Sequence, residues 1–395
     1  MSFPVIVAGG ERFAAGCQYG KQARARVHTS ILNYAATFAW CGLDWDETKT
    51  RARAFRQIVG DLDGNLIDEM RGIAEGAGVN TDDILALNVR TEILPAEFGM
   101  PLRRAARLKR GHALARNASI GLDHPDVDSA PPLRSLDDHL SECTAIGIAK
   151  SVSAEQVTWL AQNWDWLGWQ REALVVLKHA DLCTLTEAGM LAKIGFNAHG
   201  FAVGLNILRS TQDGLEKIGT PVHVVLRLLL ERCDGISAAQ TLLRSLSYSS
   251  SSNIMVADAL GRVATFELSP HGAVMVQDNA GMVVHTNHFL SEAFSAIEGN
   301  LGATLSSHPR FQCMSRFASE WQAAGHRPSL EDLKRALSDQ SQGAASIARV
   351  PDMSIPSELR VESVASVVIN CNAKTMHIAP NVPTPTSFSQ IVTLP

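Results

Sequence analysis

Hydrophobic positions recur at helical spacing through residues 18–93. The stretch "ETKTRARAFRQIVGDLDGNLIDEMRGIAEGAG" is amphipathic and ends in glycines, which suit the end of a helix. The next stretch, "NTDDILALNVRTEIL", opens with Asn80 and Thr81 as candidate N-caps and carries two aspartates in its first turn. We therefore predict successive helices that stop at Pro95.

Residues 95–141 break this periodicity. A basic run, "RRAARLKRGHALAR", is followed by the proline- and aspartate-containing stretch "DHPDVDSAPPLRSLDDH". Runs of opposite charge beside prolines are typical of an exposed linker or a mobile loop. We predict a loop-like, solvated stretch at 95–141 and prefer this interpretation to an RNA-contacting basic patch.

From residue 143 the pattern changes to short runs of β-type residues. The runs "CTAIGIAKS", "VTWLAQNWDW" and "EALVVLKHA" predict strands, and "AKIGFNAHGFAVGLNIL" predicts a hairpin that turns at residues 197–200. The stretches "TPVHVVLRLLLERC" and "SAAQTLLRSL" return to helical spacing.

Three more hairpins are predicted in the C-terminal half. The first, "NIMVADALGRVATFELSP", turns at 258–261, and the second, "GAVMVQDNAGMVVHTNHF", turns at 278–281. Helical or irregular sequence fills 290–345, and the hairpin "SVASVVINCNAKTMHIA" follows. Adjacent hairpins with helices in separate blocks indicate an α+β layered fold with mainly antiparallel sheets.

Composition narrows the class of protein. The chain has 395 residues, 46% of them hydrophobic, and a formal net charge of −5, so no basic surplus favours nucleic acid. Its seven cysteines are scattered without CxxC pairs, which argues against a disulfide framework and a zinc ribbon. The N-terminal stretch lacks the pattern of a signal peptide and no run of 18 apolar residues occurs, so we expect a cytoplasmic protein without membrane partners.

Cys143 is the first candidate for chemistry. In "HLSECTAIG" it stands at the start of a predicted strand, after polar residues. If the chain were cut before it, one residue would carry both a thiol and an α-amine. Such an amine has a pKa of about 8 and can take the thiol proton, which yields a nucleophilic thiolate. The alternative is a buried structural cysteine.

Two further polar residues have both a chemical and a structural interpretation. Asp165 lies among Trp164, Trp166 and Trp169 in "AQNWDWLGW", where a carboxylate could hold a new α-amino group. The alternative is an aspartate that ends a strand whose tryptophans pack in the core. Asn206 ends the predicted hairpin, where its backbone N–H could face a cleft or where it could cap a turn.

The stretch "VVHTNHF" offers an amide and two histidines. Asn287 could donate its side-chain amide to an oxyanion. His285 and His288 are three residues apart, but no third ligand has recognisable spacing, so we predict no metal site.

Taken together, these motifs resemble the penicillin acyltransferase family of N-terminal-nucleophile hydrolases. "EMRGIAEGAG" and "DDILALNVRTEI" resemble the family's pre-cleavage subunit, and "ECTAIG" and "QNWDW" resemble its first two catalytic strands. "EAGMLAKIGFNAHGFAVGLN", "FELSP" and "MVVHTNH" follow in the family's order.

The resemblance implies a fold and a set of roles. The fold is a four-layer αββα sandwich, in which 1–142 forms a mainly helical pre-cleavage subunit and 143–395 the catalytic subunit of one intertwined domain. The Glu142–Cys143 bond is the implied cleavage site. The implied catalytic set is the nucleophile Cys143, Asp165 beside the new amine, the oxyanion-hole residue Asn287 and a second oxyanion position, Asn206. Implied substrate or processing contacts are Thr144, Trp164, Trp166, Ser269 and His288.

The implied activity is self-cleavage followed by hydrolysis of a linear, non-peptide N-acyl amide through a cysteine thioester. The implied partners are a small-molecule amide and the two cleavage fragments, which form a heterodimer or a higher homo-oligomer; neither cofactor nor metal is implied. An acyltransferase that passes the acyl group to an amine is the first alternative. The second is an unprocessed binding protein, because Glu142 stands where the family's penicillin enzyme has glycine.

Overall fold

Two β-sheets lie face to face in the molecule. The computed structural model describes residues 2–94, 104–122, 142–179, 181–214, 218–299, 306–355, 357 and 360–394. The strands are β1 (Val5–Ala8), β2 (Glu142–Ile148), β3 (Trp159–Leu167), β4 (Leu174–His179), β5 (Leu182–Glu187), β6 (Ile194–Asn197), β7 (Ala202–Ile207), β8 (Ser252–Ala257), β9 (Val263–Ser269), β10 (Gly272–Gln277), β11 (Met282–His285), β12 (Val361–Asn370), β13 (Thr375–Ala379) and β14 (Gln390–Thr393).

The strand orders are β1-β4-β5-β6-β7-β8-β9-β10 in one sheet and β11-β2-β3-β12-β13-β14 in the other. Neighbouring strands are antiparallel, except that β1 runs parallel to β4. The two sheets are joined directly by Gln162 of β3, which donates to the carbonyl of Leu205 at 2.5 Å and accepts from the Leu205 N–H at 3.0 Å. Gly204 makes room for this amide, since a Cβ there would lie 2.4 Å from Gln162 Oε1.

Helices cover both outer faces of the sheet pair. They are α1 (Arg12–Gln22), α2 (Arg24–Trp40), α3 (Trp45–Arg53), α4 (Arg56–Leu62), α5 (Gly64–Ala77), α6 (Thr81–Asn88), α7 (Arg90–Ile93), α8 (Arg104–Ser119), α9 (Val222–Arg232), α10 (Ile236–Ser245), α11 (Ser307–Ala323) and α12 (Leu330–Leu337). α1, α2, α9 and α10 contact the eight-stranded sheet, and α11 and α12 contact the six-stranded one. The predicted α+β fold of αββα layers is therefore confirmed. None of the helices described is long and apolar enough to cross a membrane.

The helix ends follow the predicted signals. α5 ends at Gly78, which takes the left-handed conformation with φ of 72°. Asn80 then caps α6, and the Asp83 carboxylate accepts from the Asn80 N–H at 2.9 Å to complete a capping box.

Glycines allow α1 and α5 to touch along their backbones. Gly16 and Gly20 of α1 face Gly72 and Gly76 of α5, and a Cβ on Gly72 would lie 2.1 Å from the carbonyl oxygen of Phe13. Such a distance is far inside van der Waals contact, so this helix pair depends on the absence of side chains at these positions.

One predicted hairpin is wrong. The turn at 278–281 exists, with the Gly281 N–H donating to Asp278 Oδ2 at 2.6 Å, but it links β10 of one sheet to β11 of the other. β10 pairs instead with β9 through a two-residue turn, in register Ser269 to Gly272. Local turn chemistry marks a change of direction and does not specify which sheet the next strand enters.

Three other elements extend or correct the prediction. The helical N-terminal segment begins with strand β1, and β5 follows β4 with buried Thr184 and Thr186 in place of an apolar run. The loop-like stretch at 95–141 contains α8, whose Arg110 and Asn117 are buried and donate to carbonyls of α2. Residues 95–103 and 123–141 lie outside the described residues.

Side chains from before and after Cys143 fill one apolar core. Tyr34 and Ile73 from the N-terminal helices belong to the same cluster as Trp164, Leu185 and Val367 of the two sheets. Folding of the two segments is therefore coupled through shared buried surface.

We expect Gly72→Ala to destabilise the protein by about 1–3 kcal/mol or more, because its methyl group would overlap the α1 backbone. Gly60→Ala in α4 is the matched control, since its Cβ would meet only Ile67 Cγ1 at 4.0 Å and alanine favours a helix. Thermal unfolding of both variants measures the difference. Equal melting temperatures for the two variants would contradict the close approach of α1 and α5.

Candidate active site

Cys143 lies on β2 just beyond the point where its neighbour β11 ends. The last register pair between these strands is His285 with Ala145. On the other side, Cys143 is directly opposite Trp164 of β3. Cys143 is 6% exposed, so its backbone groups need partners other than water.

Three side chains supply these partners. The Cys143 N–H donates to Asn287 Oδ1 at 2.7 Å. The Cys143 carbonyl accepts from Asn206 Nδ2 at 3.1 Å and from Arg310 Nη1 at 2.7 Å. Side chains from three separate elements thus take over the hydrogen bonds that β11 would have made.

A relay of amides fixes the orientation of Asn206. Asn253, its register partner on β8, donates from Nδ2 to Asn206 Oδ1 at 3.1 Å. Thr265 Oγ1 in turn donates to Asn253 Oδ1 at 2.5 Å. Because both amide oxygens accept a hydrogen bond, the Asn206 Nδ2 group is directed at Cys143.

Arg310 connects the residues around Cys143 from the helical layer. It is fully buried on α11 and donates to Thr144 Oγ1 at 3.0 Å, to Asn287 Oδ1 at 3.0 Å and to Ser306 Oγ at 2.9 Å. Burial lowers the pKa of this guanidinium, against the opposing influence of the Asp165 carboxylate. No sequence motif had drawn attention to Arg310, because nothing in its local sequence indicates that the first turn of α11 packs against β2, which is distant in the chain.

Asp165 is buried on β3 next to Trp164. Ser363 Oγ donates to its Oδ1 at 2.5 Å, and its Oδ2 has no hydrogen-bond partner among the described residues. Burial raises the pKa of Asp165 to about 7, although Arg310 and the Ser363 hydroxyl favour the charged form. The carboxylate therefore has an acceptor oxygen to offer a new donor.

The thiol of Cys143 faces a narrow cavity between the two sheets. The cavity is lined by Arg90, Cys143, Trp164, Asp165, Trp166, Lys193, Leu205, Ile207 and Asn287. Burial, and then the charge of Asp165, raise the pKa of the thiol to about 11. In the continuous chain, Cys143 is a protonated thiol at neutral pH.

Charged side chains surround the inner end of this cavity. Lys193 Nζ lies 3.5 Å from the centroid of the Trp164 ring and 3.4 Å from both carboxylate oxygens of Glu187. Arg90 Nη2 donates to Glu187 at 3.3 Å, and Tyr34 Oη donates to it at 2.7 Å. Sequence reasoning missed Lys193, Glu187 and Arg90, which lie in three separate segments.

A sequence model of the family described as acyl-coenzyme A:6-aminopenicillanic acid acyl-transferase matches residues 152–383, more than half of the chain. The chain belongs to this family. The predicted family is confirmed, and with it the broad class of acyl-transferring enzymes. The matched range includes Asp165, Lys193, Asn206, Asn287 and Arg310 and begins after Cys143.

A characterised relative is 27% identical to this chain over 312 residues. It is the acyl-coenzyme A:6-aminopenicillanic-acid-acyltransferase 40 kDa form of Emericella nidulans. The match covers 75% of this chain and 73% of the relative.

Two solved structures match this chain with low TM-scores. A mutant of conjugated bile acid hydrolase from Clostridium perfringens has 11% identity and a TM-score of 0.38, covering 63% of this chain and 92% of that one. Penicillin V acylase from Agrobacterium tumefaciens has 12% identity and a TM-score of 0.33, covering 60% and 83%. At these TM-scores, neither structure bears on the candidate site of this chain.

The remaining predicted residues lie at different distances from Cys143. Thr144 and Trp164 contact Arg310 and Lys193 respectively, and the Trp166 ring lies 5.4 Å from the Arg90 guanidinium carbon. Ser269 lies at the end of β9 and accepts from the His271 N–H at 3.1 Å, in a local turn.

The two histidines of "VVHTNHF" make separate structural contacts. His285 Nε2 lies 2.9 Å from Glu267 Oε1, which ties β11 to β9. His288 Nδ1 lies 2.8 Å from Ser307 Oγ, and burial followed by the charge of His308 lowers its pKa to about 3. His288 is therefore a neutral side chain that supports the segment carrying Asn287.

A group of potential metal ligands lies elsewhere, at Glu69, His179 and Glu231. Arg12 contacts Glu69 at 3.1 Å and Glu231 at 2.6 Å, and Arg227 contacts Glu69 at 2.7 Å. Two guanidinium groups already neutralise these carboxylates, so the cluster is an ion-pair network between α1, α5 and α9.

Arg310→Met should lower the melting temperature by several degrees, because it removes buried hydrogen bonds from a charged donor, each worth about 1.5–3 kcal/mol. Arg310→Lys should recover only part of the loss, since one ammonium cannot reach Cys143, Asn287 and Ser306 together. Arg316→Met on the exposed side of the same helix is the control. Thermal unfolding that ranks Arg316→Met as the more damaging change would contradict this arrangement.

Proposed function

We propose that this chain is a self-cleaving amidohydrolase whose nucleophile is Cys143. The thiol attacks the carbonyl carbon of Glu142, the peptide nitrogen leaves, and water hydrolyses the resulting thioester. The mature enzyme then uses the same thiol on the carbonyl of a small N-acyl amide. The observation that carries the proposal is the set of three buried side chains that hold the backbone of Cys143 where β11 no longer does.

The position of the future α-amine supports this mechanism. The nitrogen of Cys143 already donates to Asn287 Oδ1, and Glu142 is the register partner of Asp165. After cleavage the amine would carry additional N–H donors, and Asp165 Oδ2 is a buried acceptor that lacks one among the described residues. We expect these two acceptors to orient the amine so that its lone pair can take the thiol proton.

We assign oxyanion stabilisation to Asn287, with Asn206 as the second position that the family resemblance implies. In the uncleaved chain Asn206 and Arg310 donate to the carbonyl of Cys143, which positions the nucleophile, and Asn287 Nδ2 donates to the Ile207 carbonyl at 2.9 Å. We propose that Asn287 donates to the oxyanion formed on a bound substrate. Each such donor contributes about 3 kcal/mol to transition-state stabilisation.

The substrate proposed is a small acyl compound. Trp164, Leu205 and Ile207 give the cavity apolar walls that suit an acyl group. The two fragments would stay together as a heterodimer, because they share one apolar core. All seven cysteines are free thiols, which supports a reducing compartment such as the cytoplasm.

Transfer of the acyl group to an amine is the second candidate. The description of the family and the name of the Emericella nidulans relative both specify acyl transfer. The two reactions share the thioester and differ only in whether water or an amine resolves it.

Self-cleavage predicts fragments of about 15 and about 27 kDa, in proportion to the lengths of 1–142 and 143–395. N-terminal sequencing of the larger fragment should read Cys-Thr-Ala-Ile, and Cys143→Ala should leave the chain intact. Cys183→Ala, which alters a buried cysteine of the other sheet, is the control and should cleave normally. An intact wild-type chain, or cleavage of purified Cys143→Ala at the same bond, would overturn the proposal and favour an unprocessed binding protein.

A thioester intermediate predicts that hydroxylamine, added during turnover of an N-acyl amide, diverts the acyl group to a hydroxamate. Release of free acid in the absence of added amine identifies a hydrolase, and preferential transfer to an added amine identifies an acyltransferase.

Asn287→Ala should lower turnover by about a hundredfold or more, because one oxyanion donor is lost. Normal turnover by fully processed Asn287→Ala would remove Asn287 from the site.

A further inference from the structure

The uncleaved chain poses a problem of proton transfer. In it the Cys143 nitrogen is a peptide amide that donates to Asn287, so it has no lone pair able to take a proton. Burial and the charge of Asp165 raise the pKa of the thiol to about 11. Self-cleavage therefore needs a proton acceptor that exists before the α-amine does.

The geometry places an amine on the same face as the thiol. Cys143 and Trp164 are opposite each other on neighbouring strands, so their side chains share a face of the sheet. Lys193 Nζ lies 3.5 Å from the Trp164 ring centroid and lines the same cavity as Cys143. Cys143 and Lys193 also shift each other's pKa through their charges, so we expect the thiol and the amine to exchange a proton directly or through one water molecule.

Asp165 also lines this cavity, but its register partner is Glu142, so its carboxylate lies toward the nitrogen of Cys143. It follows Trp164 on β3, and successive side chains of a strand point to opposite faces. Its carboxylate accepts from Ser363, while Thr144, the residue after Cys143, contacts Arg310 of the outer helical layer. The carboxylate can reach the nitrogen of Cys143 from this side, whereas the thiol projects to the other.

We propose that the amine of Lys193 takes the thiol proton of Cys143 during self-cleavage. This role rests on the proposed function. The Sγ–H proton moves to Nζ, and Sγ attacks the carbonyl carbon of Glu142. The carbon–nitrogen bond then breaks as Nζ returns the proton to the departing nitrogen, which leaves a thioester and a free α-amine. Water hydrolyses the thioester to a carboxylate and the thiol, and Lys193 ends as it began.

Charge balance supports this assignment. Arg90 and Glu187 form an ion pair beside Lys193, with Nη2 and Oε1 3.3 Å apart. With Lys193 neutral and Cys143 a thiol, the group has no net charge. Proton transfer creates an ammonium and a thiolate together, so the buried group stays neutral as a whole. Both Lys193–Glu187 distances are 3.4 Å, longer than the usual value of about 2.7–2.9 Å, which leaves Nζ loosely held.

The groups that face Lys193 determine whether its pKa is raised or lowered. Burial lowers the pKa of Lys193, opposed by the carboxylate of Glu187, and Arg90 lowers it further. His223 of α9 has a pKa well below its usual value because it is buried and near Arg90, so it stays neutral. Tyr34 of α2 donates to Glu187 and has a raised pKa because it is buried. A neutral Lys193 amine is thus available near neutral pH.

The test uses the full chain made by cell-free translation, with cleavage followed on denaturing gels between about pH 6 and about pH 9. Lys193→Met and Lys193→Arg should each slow cleavage by about a hundredfold or more, because neither side chain can accept a proton in this range. Lys178→Met, a half-buried lysine on β4, is the control and should cleave at the wild-type rate. We expect the Lys193 variants to fold, because Glu187 keeps Arg90 and Tyr34 as partners, and thermal unfolding checks this.

Glu187→Gln tests the role of Lys193 through the pH dependence of cleavage, which should not change if Lys193 were only structural. Loss of this carboxylate lowers the stability of the ammonium, so the rise of the cleavage rate with pH should shift to lower pH. If Lys193→Arg restores the wild-type rate, Lys193 supplies charge alone and the proposal is wrong. If the wild-type chain cleaves and both Lys193 variants match its rate and pH profile, Lys193 has no part in the step. A wild-type chain that never cleaves would instead overturn the proposed function itself.

Discussion

The end of strand β11 at His285 is the constraint on which the site depends. Beyond it, the N–H and carbonyl of Cys143 are buried without a strand on the β11 side, and buried backbone groups must be hydrogen-bonded. Asn287, Asn206 and Arg310 meet this demand, each from a different element. The requirement to satisfy one residue's backbone therefore brings three polar side chains to the same point.

Opposite faces of β2 and β3 carry different charged groups. The outer face holds Asp165 near Arg310, and the inner face holds Lys193 with Glu187 and Arg90. Successive side chains of a strand point to opposite faces, yet Asp165, Lys193 and Arg90 all line the cavity beside Cys143. Each set contains a carboxylate and a guanidinium that offset one another, which allows so many charges to be buried in one region.

The surrounding architecture holds these groups rigidly. Gln162 bridges the two sheets through the backbone of Leu205, close to Asn206 on β7. On the outer side, α1 and α5 approach each other through glycines, so the N-terminal helices form a tightly packed layer on the eight-stranded sheet. The same apolar core includes segments on both sides of Cys143, and the other apolar clusters among the described residues are smaller.

The sequence by itself determined the elements and the family. Periodicity and caps predicted α5, α6 and most strands, because those signals act within a few residues. The order of motifs and the family resemblance made Cys143, Asp165, Asn206 and Asn287 candidates, since each lies in or next to a recognisable strand. The tertiary structure alone decided that β10 and β11 enter different sheets, and that Arg310 and Lys193 flank Cys143. The physical reason is that local patterns report backbone conformation and burial, whereas which distant side chains meet depends on how the layers pack.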